Sequence, residues 1–213
     1  MKKSTESYIP DLKELGLLML GFLPWMLFLF FSGHTMLSLK IAVIISLVAS
    51  VTLGFGDLKR GFILQWGTCI FFLICLIMVD FLNNKWIAME MDLVSNLALS
   101  AIMWFTVLIG KPFALQYARR GLPRELWNDE KFIRGCRFIT VVWACLMTFA
   151  VLISILKRTT WLPFPNWVYF DINILNIVVG LTFTSIFKRN KRLQRERANV
   201  DKPNTLIPPG LCK

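Results

Sequence analysis

Six apolar stretches limit what this chain can fold into more than any other feature. They run over residues 15–31, 39–55, 62–82, 93–109, 138–156 and 168–187. A helix needs about 20 mostly apolar residues to cross a bilayer core, and each stretch meets or approaches that length. The expected fold is all-α, a polytopic transmembrane helical bundle of six spans. Composition agrees, with 56% hydrophobic residues against about 45–50% in a soluble domain.

The intervening segments set the organisation. Residues 1–14 are polar and charge-balanced, and residues 15–110 hold spans one to four. Residues 111–137 form a basic amphipathic segment, 138–187 hold spans five and six, and 188–213 form a basic tail whose Pro-rich end is expected to be partly disordered. The first apolar run starts too late and runs too long for a cleaved secretory signal, so it reads as a retained span, kinked at Pro24.

Net charge is +11, and the central segment and the tail supply nearly all of it. In so apolar a chain this favours anionic lipid headgroups over nucleic acid as the partner. Basic residues in short loops mark the cytoplasmic side. The N-terminus, Lys59-Arg60, the central segment and the tail then share that side, with both termini cytoplasmic. Lys157-Arg158 is the one dissenting pair. The five cysteines lack metal-type spacing and read as small packing residues. No metal or cofactor is expected.

In the central segment, residues 113–120 can form a short amphipathic helix in the interface, and Pro123 suits a first helical position. Arg119, Arg120, Arg124, Arg134 and Arg137 are its candidate contacts for anionic lipid or a partner protein. In span two, Ala42, Ser46, Ser50 and Gly54 recur every four residues and let a neighbouring helix approach closely. Trp66 and Asn96 echo Trp143 and Asn173 at the same separation, a weak hint of duplicated halves.

Candidates for chemistry are few. There is one histidine, His34, and no HExxH, GxSxG or P-loop, so an enzyme is not expected. Asp92, Asn96 and Ser100 line one edge of span four. Asp171, Asn173 and Asn176 stand near the start of span six. Facing each other, the two sets would make a polar cleft for a solute or a lipid headgroup. The plainer readings are interhelical hydrogen bonds and, for Asp92 and Asp171, carboxylates at helix starts.

Several short motifs resemble the inner-membrane intracellular septation protein A family. They are Lys111-Pro112, Leu122-Pro123 with Trp127, Trp143, Trp161-Leu162, and Asn166-Trp167-Val168-Tyr169-Phe170 ahead of a last span with a basic tail. The resemblance covers roughly residues 15–190, its first half in hydropathy and in Leu23-Pro24. It implies a bacterial inner-membrane protein with a role in envelope maintenance and cell division, and it carries over no catalytic residue. The expected function is non-enzymatic support of envelope integrity or division through lipid and protein contacts. Envelope or division proteins and a second copy of the chain are its candidate protein partners. The alternative is a small-solute or lipid transporter using the polar cleft.

Overall fold

The computed structural model describes residues 8–33, 35–120, 127–159 and 166–200. Its described elements are helical. They are α1 (Tyr8–Phe31), α2 (Met36–Lys59), α3 (Ile63–Cys75), a π-helical continuation over Leu76–Phe81, α4 (Lys85–Met89), α5 (Met91–Leu108), α6 (Phe113–Ala118), α7 (Glu130–Arg158) and α8 (Asn166–Val200). Among the described residues, five helices are long and apolar enough to cross a membrane: Met36–Lys59, Ile63–Phe81, Met91–Leu108, Glu130–Arg158 and Asp171–Asn190. The expected first span contributes a shorter apolar stretch, Met19–Phe31. The chain is an all-helical, multi-pass membrane protein.

Local chemistry explains the ends of these helices. Thr35 caps α2 in a full capping box with Ser38, which satisfies amide groups left free at the first turn. Gly61 and Gly110 follow α2 and α5 with φ of +71° and +70°, a conformation a side chain would resist. α1 begins at Tyr8, so part of the expected N-terminal segment is helical.

The core is built around α1. Phe22, Trp25 and Phe28 sit three apart on one face, and all three are buried. The Trp25 ring stacks on Phe71 at 4.9 Å, and its Nε1 donates to Thr68 Oγ1 at 2.9 Å. Phe22 stacks on Trp143 of α7 at 5.0 Å and meets Phe113 of α6 edge-on. The small-residue face of α2 is buried as its spacing implied. A Cβ on Gly54 would overlap the Gln65 side chain, so α2 and α3 meet there at close range. Outward-facing residues such as Ile44, Val48, Ile70 and Leu152 remain exposed and apolar, as a lipid-facing surface requires.

The central segment departs from expectation. Rather than offering its apolar face to lipid, α6 buries Phe113, Leu115 and Tyr117 against α1, α3 and α7. The Ala114 amide donates to Thr140 Oγ1 at 3.3 Å, and Gln116 Oε1 accepts from the Ile63 amide at 3.0 Å. The proposed duplication also finds no echo in environment. Trp66 is 51% exposed, whereas Trp143 is fully buried.

Candidate functional site

Near the end of the bundle where α2, α4 and α5 begin, the helices leave a cavity of about 620 Å³. That lies inside the usual range for small-molecule sites, about 300–1,000 Å³. Trp25, Phe28, Leu39, Leu99, Met147 and Ala150 make an apolar wall. Lys85, Asp92, Asn96, Lys157, Asn173 and Asn176 supply the polar side. The site is therefore amphipathic.

A short network sets the polar side. Asn96 Nδ2 donates to Ser154 Oγ at 3.0 Å and lies 3.5 Å from Asp92 Oδ1. Ser154 Oγ donates to Asp92 Oδ2 at 3.3 Å, and Lys157 Nζ stands 3.8 Å from that same oxygen. Just outside, Arg158 pairs with Glu90 at 3.4 Å. The two cations that break the loop-charge pattern are thus each matched by an acid at the start of α5. Across the cavity, Asn176 Nδ2 donates to the Leu146 carbonyl at 2.8 Å, which fixes α8 against α7.

Of the six residues expected to form the cleft, four line the cavity: Asp92, Asn96, Asn173 and Asn176. Two do not. Ser100 shares a hydrogen bond with Thr148 at 3.1 Å, and Thr148 also accepts from Trp104 Nε1 at 3.0 Å. Asp171 is exposed and faces away, among Val168, Ile174, Leu175 and Val178. Residues two apart on a helix do not share a face, so Asp171 cannot join Asn173. The polar edge of α5 is met by α7, through Thr148, Ser154 and Lys157. Thr148 and Ser154 are scattered in an apolar run and were not singled out from sequence, and Lys157 stood out only as part of the dissenting pair. The charge mismatch at Lys157-Arg158 was the available signal.

The basic set also divides. Arg120 forms a buried ion pair with Asp57 of α2 and lies over the rings of Phe62 and Tyr117, at 5.0 Å and 5.8 Å. Burial lowers its pKa from the ordinary value, although a guanidinium stays charged at neutral pH. Arg119 donates to the Trp127 carbonyl at 3.2 Å and lies over that indole. Both side chains are thus committed to internal contacts. Arg134 is exposed and pairs loosely with Glu130 at 3.4 Å, and Arg137 is exposed. Arg124 lies outside the described residues, as does His34. Among the described residues, no three His, Cys, Asp or Glu side chains group as a metal site would.

Comparisons with family models, with curated proteins and with solved structures gave no match to this chain.

Proposed function

We propose that this chain is a non-enzymatic protein of the bacterial inner membrane, with both termini cytoplasmic, that holds an amphiphilic ligand in the cavity. The observation that carries the reading is the division of one cavity into an aromatic and aliphatic wall and a side bearing Asp92, Asn96, Lys157, Asn173 and Asn176. Water alone does not need such a wall, and a purely apolar guest does not need the network. The loop-charge pattern supports an outward-facing position for this end of the bundle. Support of the cell envelope, which the septation-family resemblance implies, would then act through a bound lipid.

Native mass spectrometry on protein extracted with its surrounding lipids tests this reading. Bound amphiphile should be retained by the wild type and lost in Ala150→Phe, which fills the cavity. Reversing Arg134 and Arg137 should leave it in place. Loss on reversing those arginines, with Ala150→Phe unaffected, would return the protein to a surface scaffold.

A second reading keeps one specific observation. Lys131, Arg134 and Arg137 are exposed along the start of α7, where a basic helix end can meet anionic headgroups or an acidic partner.

A further inference from the structure

We infer that the ligand is a single-chain amphiphile with a phosphate headgroup. The inference rests on the cavity reading above and adds the chemistry of the guest.

The charges bordering the cavity are unbalanced. Two lysines, Lys85 and Lys157, line it against one acid, Asp92. Lys157 already stands beside Asp92. Lys85 opens α4, is exposed, and forms no ion pair with any described residue. Glu90, the other nearby acid, is held by Arg158. The ammonium of Lys85 is therefore the cation left for a guest. The mouth is also where α2 begins. Ser32, Gly33, Thr35 and Met36 border the cavity, and the first turn of α2 carries no acidic residue. Its positive dipole end adds to the same bias. Lysine is a regular phosphate binder, acting as a point charge.

Size argues for one chain. About 620 Å³ suits a ligand of drug size and not a lipid with two full acyl chains. The apolar wall from Leu99 and Met147 to Trp25 and Phe28 can take that chain, with the headgroup towards Lys85.

The test uses the full chain in a neutral detergent and three probes: lysophosphatidic acid, a monoacylglycerol with the same acyl chain, and inorganic phosphate. Lysophosphatidic acid should bind more tightly than the monoacylglycerol, and inorganic phosphate should not bind measurably. Lys85→Gln should weaken lysophosphatidic acid about fivefold, as one basic residue beside an anionic headgroup implies, and leave the monoacylglycerol unchanged. Lys85→Glu should widen the loss. Equal affinity for the two lipids, in both wild type and Lys85→Gln, would overturn the headgroup assignment while the cavity reading stood. Binding of inorganic phosphate as tight as that of the lipid would overturn the amphiphile and leave a free-anion site. Failure of both lipids to bind, with Ala150→Phe indistinguishable from wild type, would remove the cavity reading itself.

Discussion

Trp143 Nε1 donates to Thr184 Oγ1 at 3.0 Å, and the same indole fills the space that a side chain on Gly180 would need. One fully buried ring thus ties α7 to α8 by a hydrogen bond and by close approach. Thr184 in turn donates to the Gly180 carbonyl at 2.8 Å. The polar face of α8 that runs through Asn176, Gly180 and Thr184 is therefore a packing seam whose Asn176 end borders the cavity.

Gly180→Ala should destabilise the protein. The new Cβ would lie 2.9 Å from two ring atoms of a Trp with no room to move. Overpacking of this kind typically costs about 1–3 kcal/mol. Thr184→Val leaves the indole N–H without its partner, at about 1–3 kcal/mol for a buried donor. Thermal unfolding in detergent should show both losses, with the oligomeric state the same as that of the wild type.

Removing one member of the Asp57–Arg120 pair should cost more. Its side chains are 7% and 15% exposed, and an orphaned buried charge typically costs about 3–5 kcal/mol. Asp57→Asn and Arg120→Gln should each lower the unfolding temperature clearly. The exchange Asp57→Arg with Arg120→Asp should recover part of the loss. Equal instability in the exchange variant would show that the ring contacts of Arg120, and not the charge pair, hold the site.

Tyr117 gives a pH signature. Burial raises the pKa of its phenol above the ordinary value near 10, and its hydroxyl has no hydrogen-bond partner. The unfolded chain ionises first, so this tyrosine's contribution is complete below about pH 10 and is lost as pH climbs from there towards the folded pKa. Tyr117→Phe should flatten that alkaline fall. At neutral pH it should be neutral or stabilising by up to about 1 kcal/mol, because it removes a buried hydroxyl that bonds to nothing. Unfolding midpoints measured from pH 7 to 11 decide both points.

Asp171→Asn should leave ligand binding and stability unchanged, because Asp171 is exposed on the far side of α8. Asn96→Ala should weaken binding, since Asn96 joins Asp92 and Ser154 at the cavity edge. Comparing the two by native mass spectrometry separates a polar residue near the site from one in it.

Much of the architecture could be read from residue order. Apolar runs located the helices, and the four-residue spacing of Ala42, Ser46, Ser50 and Gly54 identified a buried seam. Which helix meets which was harder. The edge of α5 at Asp92, Asn96 and Ser100 was visible as an edge, but periodicity carries no information about the opposing element. It turned to α7, where Thr148 and Ser154 sit unannounced among apolar neighbours. Asp171 was grouped with Asn173 by proximity in the chain, although helical geometry sends them to different faces. Arg120 looked like surface charge because its partner, Asp57, is supplied by a helix that only the fold brings close, and Arg119 because its contact with Trp127, eight residues on, follows no helical spacing.

The Asp57–Arg120 pair also has a meaning in time. Asp57 leaves the ribosome with α2, whereas Arg120 follows only after α5 has been made. Until then the carboxylate lacks its Arg120 partner, and Tyr117 is not there to pack beside Gly21. Tyr117 of α6 and Arg120 just beyond it occupy both places, so the ion pair joins an early-made helix to a late-made segment.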